Sequence, residues 1–230
     1  MKAPIAVALD APDLETAKTW AKEVSPYVST LKIGLETYLR DGKKSIEQIK
    51  EISSCDLFLD LKLHDIPATV AGACRSVADL NPKYLTVHAS GGSEMINEAA
   101  KTLPNTLIVA VTILTSIDEK NLQEIGFNKS SKESAVNLAK LAVAAGARAI
   151  VCSPQEVAEI RKNVDSSIVL ITPGIRPQGS SSNDQQRIAT PQDALLKGAN
   201  LLVIGRPITG SDNVGAAAKR ISEEVNSVKL

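Results

Sequence analysis

The sequence lacks an excess of charge of either sign, and it lacks any long hydrophobic run. Its 230 residues include 26 Lys and Arg against 26 Asp and Glu, so no charge surplus favours a nucleic acid or a membrane surface as a partner. No stretch approaches the roughly 18 consecutive apolar residues of a transmembrane helix. The N-terminal segment MKAPIAVALD has a short apolar run that ends at Asp10, with no signal-peptide cleavage site after it. These absences predict a cytoplasmic protein with no nucleic-acid or membrane partner.

Cysteine and histidine are also scarce. Cys55, Cys74 and Cys152 are odd in number and widely spaced, which excludes a disulfide framework and a zinc motif. We interpret all three as small, buried, apolar residues. The two histidines, His64 and His88, offer no metal-binding cluster, and we predict hydrogen-bonded positions at the rim of the fold for both.

Short apolar runs recur along the whole chain. They are nearly continuous rather than alternating, which is typical of parallel strands covered on their outer face. Segments of helical period lie between them, as in GKKSIEQIKEIS, where Ile46, Ile49 and Ile52 share one face. The alternation predicts a single-domain (β/α)8 TIM barrel over residues 1–230. The eight predicted strands are IAVALD (5–10), TLKIGLE (30–36), LFLDLKL (57–63), YLTVHAS (84–90), TLIVAVTIL (106–114), AIVCSP (149–154), IVLITPGI (168–175) and LLVIGRPI (201–208).

Local signals indicate where helices begin and end. Ser153-Pro154 and Thr190-Pro191 each combine a hydroxyl N-cap with proline at the first helical position. Gly146 in AGARAIV and Gly198 in KGANLLV can end a helix in the left-handed conformation before the next strand. A doubly wound open sheet is the structural alternative, but ALDAPDLE after the first strand contains no Gly-rich turn.

A TIM barrel carries its site at the carboxyl ends of its strands. In LFLDLKLHDIPAT (57–69), Asp60 and Lys62 are two residues apart and should face the same side of a strand. Buried charges of this kind must neutralise one another, and we favour a chemical role over a salt-bridge network that only ties the rim. The polar residues at the predicted strand ends are Asp10, Lys32, Asp60, Lys62, Asp65, His88, Thr115, Ser116, Arg176 and Arg206.

The charges in this cluster favour one kind of chemistry. A lysine beside each carboxylate would repel a divalent cation, which argues against a metal site. A lysine between two aspartates keeps its proton, because opposite charges raise its pKa. Such a group is suited to stabilise and then protonate negative charge that forms on carbon. We therefore predict a reaction without metal or cofactor, with decarboxylation as the leading hypothesis and Lys62 as the proton donor.

The segment TPGIRPQGSSSNDQQR (172–187) is too polar to pack, and it predicts a mobile loop at about residues 176–187 that acts as a lid. Arg176 stands at the start of this loop, and VIGRPIT after the eighth strand supplies Gly205 and Arg206. TIM barrels often hold a phosphate between their last two loops. Ordinary ion pairs would explain either arginine alone, but the pair beside glycine predicts a phosphate site.

Six segments carry a family resemblance: LKIG, DLKLHDIPAT, VHASGG, VTILTS, TPGIR followed by NDQ, and VIGRPIT. Together they make the chain similar to the bacterial type of the orotidine 5′-phosphate decarboxylase family, from Asp10 to Thr209. The D-x-K-x-x-D element alone is only moderately specific, because related sugar-phosphate enzymes share it, but together with Lys32 and the last two motifs it is a strong signal. The resemblance implies a carboxy-lyase that converts orotidine 5′-monophosphate to UMP and CO2, the last step of de novo UMP synthesis, without cofactor or metal.

The resemblance also implies roles for individual residues. Lys62 would protonate C6 of the pyrimidine, and Asp60 would lie against the substrate carboxylate. Asp65 and Thr69 would reach into the neighbouring subunit's site, which implies a homodimer. The implied catalytic residues are Lys62, Asp60, Lys32 and Asp65; the implied substrate-binding residues are Asp10 and Lys32 (ribose), Asp60 and Thr69, Thr115 and Ser116 (base), Arg176, Gly205 and Arg206 (phosphate), and Gln185 (lid), with Gln178 as a competitor for the lid position.

Two other functions are the alternatives. One is a Mg-dependent sugar-phosphate decarboxylase or synthase of the same superfamily, but those enzymes carry an acidic residue on the second strand, where this chain has Lys32. The other is a non-catalytic phosphate-binding barrel, which would keep Arg176 and Arg206 but would not need the opposed charges around Lys62.

Overall fold

The computed structural model of the protein describes residues 2–177 and 188–229. Its strands form a closed barrel in chain order, in which β8 pairs in parallel with β1. Parallel pairing requires a crossover between consecutive strands, and each crossover here contains at least one helix. The strands are β1 (Ala3–Ala8), β2 (Val28–Gly34), β3 (Asp56–Leu63), β4 (Tyr84–His88), β5 (Leu107–Val111), β6 (Ala149–Val151), β7 (Val169–Thr172) and β8 (Leu201–Ile204).

The helices surround this barrel and begin at residues that suit a helix N-terminus. The Asp13, Ser130 and Thr190 side chains each accept a hydrogen bond from the backbone N–H three residues later. The helices are α1 (Leu14–Val24), α2 (Leu35–Ile52), α3 (Pro67–Val77), α4 (Gly92–Thr102), α5 (Glu119–Glu124), α6 (Ser131–Ala144), α7 (Val157–Asn163), α8 (Pro191–Leu196), α9 (Arg206–Thr209) and α10 (Val214–Asn226).

The hydrophobic core has two layers, because the strands are buried on both faces. The larger layer lies between the strands and the helices, and Ile5, Ile33, Leu85 and Met95 are fully buried there. The smaller layer fills the barrel with residues that include Ala6, Phe58, Tyr84, Val109, Ala149, Ile171 and Leu201. Phe58 is two residues before Asp60 on the same strand, so the apolar filling of the barrel lies directly beneath the charged residues.

The predicted single-domain TIM barrel is confirmed, and the open-sheet alternative is wrong. All eight predicted strands are present, but several are shorter than their apolar runs: β8 ends at Ile204, and α9 begins at Arg206. Gly146 and Gly198 have the predicted left-handed backbone, each with φ of +102°. Ile46 and Ile49 are buried, whereas Ile52, at the end of α2, is exposed.

One predicted helix start is wrong. Ser153-Pro154 does not begin a helix, since α7 starts at Val157 with Glu156 as its N-cap. The Glu156 carboxylate accepts a hydrogen bond from the Ser153 backbone N–H at 3.0 Å, so half of a capping box forms. The buried Ser153 hydroxyl has no hydrogen-bond partner within the described residues. By contrast, Thr190-Pro191 begins α8 as predicted.

The cysteines are unpaired, and two of the three are buried as predicted. Burial raises the pKa of the Cys74 thiol to about 11. Cys55 is only half-buried, and its thiol donates a hydrogen bond to the Val28 carbonyl at 3.1 Å. Across residues 2–177 and 188–229, the chain forms no helix with the length and hydropathy of a membrane span.

We predict that Gly146→Ala lowers the free energy of unfolding by about 1–2 kcal/mol, because a non-glycine residue is strained at this left-handed backbone. The new Cβ would also lie 3.3 Å from the Ala100 Cβ. Urea denaturation would measure the change. Gly215→Ala in α10 is the matched control, since its Cβ would make ordinary contacts at 3.6 Å with Glu23 and helix propensity favours alanine. Equal effects of the two substitutions would contradict the backbone explanation.

Candidate active site

Asp60 lies between two lysines at the carboxyl end of the barrel. Its Oδ2 is 3.2 Å from the Lys32 Nζ, and its Oδ1 is 2.8 Å from the Lys62 Nζ. The Asp10 Oδ1 is 3.7 Å from the Lys32 Nζ on the other side. These contacts form a line of alternating charge, Asp10–Lys32–Asp60–Lys62, that we call the charged array. Lys32 is only 7% exposed, so its ammonium group depends on the two carboxylates for compensation.

A β-bulge places Asp60 and Lys62. Leu59 of β3 is opposite Leu85 of β4 and Leu63 is opposite Val87, so three residues of β3 face one residue of β4. Lys62, within the bulge, has a left-handed backbone with φ of +49°, which costs a non-glycine residue about 1–2 kcal/mol. Asp60 and Lys62 meet as predicted, but through this bulge and not through the regular alternation of a strand.

Thr86 of β4 is the residue opposite the bulge. Its side-chain hydroxyl accepts a hydrogen bond from the Lys62 backbone N–H at 2.8 Å. The same hydroxyl lies 3.1 Å from the Asp60 Oδ1 and 3.5 Å from the Leu59 carbonyl. Because charge-assisted hydrogen bonds are the stronger kind, we assign the single hydroxyl proton of Thr86 to the hydrogen bond that it donates to the Asp60 carboxylate.

Gly34 makes room for the other end of the array. A Cβ at this position would lie 2.7 Å from the Asp10 Oδ1 and 3.1 Å from the Lys32 Nζ. The first distance is too short for a carbon–oxygen contact, so a side chain here would displace Asp10. The glycine in LKIG therefore allows the Asp10 carboxylate to approach Lys32.

The array also determines how its carboxylate titrates. Burial opposes ionisation of Asp60, but the positive charges of Lys32 and then Lys62 outweigh it and lower the pKa of Asp60 below its ordinary value. His88 lies near the array, and its pKa is lowered, mainly by burial and then by the charges of His64 and Lys62. The two imidazole rings lie 5.4 Å apart, with His88 half-buried and His64 exposed. Both therefore lie at the rim of the barrel mouth, as predicted, but the predicted hydrogen bonds are not confirmed, because neither imidazole forms one within the described residues.

Two adjoining cavities open onto the array. The outer cavity, of about 440 Å³, is lined by Asp10, Lys32 and Asp60 of the array and also by Arg176, Gly205 and Arg206. The inner cavity, of about 160 Å³, shares Lys32 and Asp60 and adds Lys62 and Thr115, with walls that include Phe58, Val111, Ile113 and Val151. The site thus combines an outer chamber of mixed polar and apolar lining with a smaller, mainly apolar one.

Arg176 and Arg206 lie where they were predicted to lie, in the segments that follow β7 and β8. Arg176 is buried, and its Nη1 donates to the Ile175 carbonyl at 2.9 Å. Its backbone N–H donates to the Ala189 carbonyl at 2.9 Å, so the chain before and after the predicted lid is paired at its base. Arg206 is exposed and begins the short helix α9 directly after Gly205.

Some predicted site residues do not join the array. Asp65 is exposed, and its Oδ1 accepts a hydrogen bond from the neighbouring Ile66 N–H at 2.7 Å. Asp65 therefore stays outside the array of its own chain, and its place in a partner's site remains a prediction. Among the described residues, the lysine between two aspartates is Lys32. Thr69 and Ser116 are exposed as well, while Gln178 and Gln185 lie outside the described residues.

Sequence reasoning missed Thr86 and Gly34. A polar residue inside the apolar run YLTVHAS was the available signal for Thr86, and the glycine two residues after Lys32 was the signal for Gly34.

Within the described ranges, His, Cys, Asp and Glu side chains form no group of three that could hold a metal ion.

A closed (β/α)8 barrel with a cluster of alternating charges at the carboxyl ends of its strands defines the class of TIM-barrel enzymes. A family comparison narrows the class. The profile of the "Orotidine 5'-phosphate decarboxylase / HUMPS family" matches residues 3–221, and the chain belongs to this family.

Individual relatives agree with the family match. The chain is 57% identical to the orotidine 5′-phosphate decarboxylase of Thermobifida fusca, over 98% of this chain and 97% of that protein. It is 47% identical to the enzyme of the same name from Frankia casuarinae, over 96% and 87%. The crystal structure of orotidine 5′-phosphate decarboxylase from Lactobacillus acidophilus is similar with a TM-score of 0.86 at 34% identity, covering 98% of this chain and all of that one.

We predict that Asp60→Asn changes how stability depends on pH. Because the pKa of Asp60 is lowered in the folded state, its ionisation stabilises the fold above the unfolded-state pKa of about 3.9, and this contribution is lost as the pH falls through the folded-state pKa. The free energy of unfolding of the wild-type protein should therefore exceed that of Asp60→Asn by about 3 kcal/mol at pH 7. This difference should become smaller below about pH 4. Urea denaturation between neutral and acidic pH measures it.

Asp212→Asn, at an exposed position before α10, is the control and should follow the wild-type curve. A wild-type advantage over Asp60→Asn that is constant from neutral to acidic pH would contradict the prediction.

Proposed function

We propose that this protein is an orotidine 5′-monophosphate decarboxylase that forms UMP and CO2 in the last step of de novo UMP synthesis. The observation that carries the proposal is that the outer cavity is lined both by Asp10, Lys32 and Asp60 of the charged array and by the Arg176–Arg206 pair, while Lys62 lines the adjoining inner cavity. A nucleoside monophosphate matches this distribution of charge, because it has an anionic phosphate at one end and a reacting base at the other. The names of the relatives support the same substrate.

In the proposed complex, the phosphate binds Arg176, Arg206 and the Gly205 backbone, and the ribose hydroxyls contact Asp10 and Lys32. The pyrimidine then enters the inner cavity beside Lys62, where Thr115 lies in the wall. The apolar walls there exclude water and strengthen the attraction between the Lys62 ammonium group and negative charge on the base. Binding at the phosphate, remote from the reacting carbon, contributes to positioning that carbon.

The proposed chemical step breaks the bond between C6 and the carboxylate carbon. The electron pair of that bond stays on C6, CO2 leaves, and Lys62 transfers its proton to C6 and later regains one from water. Asp60, 2.8 Å from the Lys62 Nζ, holds this ammonium group beside C6. Its own negative charge lies near the substrate carboxylate, so CO2 release relieves a repulsion. The step uses no metal or cofactor.

The direct test is to add orotidine 5′-monophosphate and follow its ultraviolet absorbance as UMP forms. Turnover that is unchanged by EDTA is expected. No turnover would overturn the proposal and would favour a non-catalytic phosphate-binding barrel. Turnover of a sugar phosphate that EDTA abolishes and Mg²⁺ restores would instead favour the metal-dependent members of the superfamily.

We predict that Lys62→Ala lowers kcat by at least about 10³-fold, because it removes both the proton donor and the charge that stabilises the carbanion. Affinity for UMP should change little, since the phosphate site is intact, and it can be measured by calorimetry. Lys101→Ala removes an exposed lysine of α4 and is the control. Near-normal turnover by Lys62→Ala would refute its assignment as proton donor.

The proposal includes a homodimer in which Asp65 and Thr69 complete the partner's site. Three features of the chain support it. Asp65 is too exposed to serve its own array, Ile66 beside it is 66% exposed, and Leu39 on the preceding helix α2 is 77% exposed. Large apolar side chains with such exposure, one of them the chain neighbour of Asp65, support a surface that another subunit covers.

We predict that Asp65→Ala and Lys62→Ala are each inactive, and that mixing the two proteins under conditions of subunit exchange restores activity. In a mixed dimer, one site takes Lys62 from one subunit and Asp65 from the other, so about a quarter of the wild-type activity should return if subunits pair at random. Sedimentation would confirm the dimer. No recovery despite demonstrated exchange would place Asp65 outside the partner's site.

A further inference from the structure

We propose that Thr86 is a positioning residue that holds both members of the Asp60–Lys62 pair in their reactive geometry. The inference deepens the proposed function and rests on it. It starts from the bulge in β3, where the residues on either side of the reactive pair are in register with β4 but the pair itself is not. Thr86 is the β4 residue that faces this irregular segment.

The first role of Thr86 is to replace a missing strand partner. In a regular parallel pair, the Lys62 N–H would donate to a backbone carbonyl of β4. In the bulge it donates instead to the Thr86 Oγ1 at 2.8 Å. This bond satisfies a backbone donor and fixes the peptide that precedes the left-handed Lys62 residue, whose φ is +49°. The direction in which the Lys62 side chain leaves the strand depends on that backbone.

The second role is to orient the carboxylate. The Thr86 hydroxyl has one proton, which it donates to the Asp60 Oδ1 at 3.1 Å, the same oxygen that lies 2.8 Å from the Lys62 Nζ. The other carboxylate oxygen remains with Lys32 at 3.2 Å. Thr86 thus fixes the rotation of the Asp60 carboxylate so that each oxygen faces one lysine.

One buried hydroxyl therefore links the backbone of the proton donor to the side chain of its counter-ion. Thr86 is fully buried and lines neither the outer nor the inner cavity, so it acts through Asp60 and Lys62 and not on substrate. Its β-branched side chain also has few rotamers, which suits a group that must hold two partners at once. The array is consequently held by a neighbouring strand as well as by its own charges.

The test compares two substitutions that remove different parts of the Thr86 side chain. Thr86→Val keeps the shape and removes the hydroxyl, whereas Thr86→Ser keeps the hydroxyl and removes the methyl group. We expect Thr86→Val to lower kcat for orotidine 5′-monophosphate about 10- to 100-fold, with KM within about threefold of wild type, because the phosphate site is untouched. Thr86→Ser should stay within about threefold of the wild-type kcat.

A role in packing alone predicts the reverse, with Thr86→Ser impaired and Thr86→Val active, and either result would overturn the inference. Thr106→Val is the matched control. Thr106 is also buried, and its hydroxyl donates to the Pro82 carbonyl at 2.8 Å, before the start of β5 and at the opposite end of the barrel. This control should lose stability without losing kcat.

A structural measurement separates failure of this inference from failure of the proposed function. Crystal structures should show Lys62 and Asp60 in wild-type positions in Thr86→Ser, and a changed Lys62 backbone or a longer Asp60–Lys62 distance in Thr86→Val. An unchanged pair in Thr86→Val would overturn the inference, whatever reaction the protein catalyses. If Thr86→Val does not fold, Thr86→Ala takes its place with the same expectations.

Discussion

The pairing of Asp60 with two lysines is the interaction on which the site depends. A buried ammonium group without a partner is strongly destabilising, and Lys32 is almost completely buried. Asp60 makes that burial possible, with Asp10 as a second carboxylate 3.7 Å away. The same pairing brings Lys62 to within 2.8 Å of a carboxylate at the edge of an apolar cavity. One arrangement therefore satisfies the electrostatics of the fold and places a second ammonium group, that of Lys62, in the wall of the inner cavity.

The barrel supports this arrangement in two ways. Its apolar interior, with Phe58 beneath Asp60, keeps water away from the lower side of the array. Its closed sheet places β2, β3 and β4 side by side, so that Lys32, the Asp60–Lys62 pair and Thr86 come from neighbouring strands. The local cost is a bulge with a left-handed lysine, and strain of this kind is commonly found at functional sites.

The two halves of the site have different origins. Lys32, Asp60 and Lys62 of the array lie on strands, which hold their geometry closely, whereas Asp10 follows β1, and Arg176 and Arg206 lie on the segments that follow β7 and β8. Such a division suits a ligand whose reacting end needs exact placement and whose anionic end mainly needs charge. The pairing of residues 174–176 with Ala189 holds the base of the seventh loop beside the outer cavity.

The sequence by itself determined the alternation of strands and helices, and hence the barrel, because runs of apolar residues, glycine stops and the Thr190-Pro191 cap act over a few residues. It also placed the polar residues at the strand ends, since strand direction in a (β/α)8 barrel follows from the alternation. Only the tertiary structure decided that Lys32 is the lysine flanked by two carboxylates, that Asp65 is exposed outside the array, and that Thr86 contacts the array. Those outcomes depend on the register between β3 and β4 and on contacts across strands, and no local period in the sequence records a shift of register.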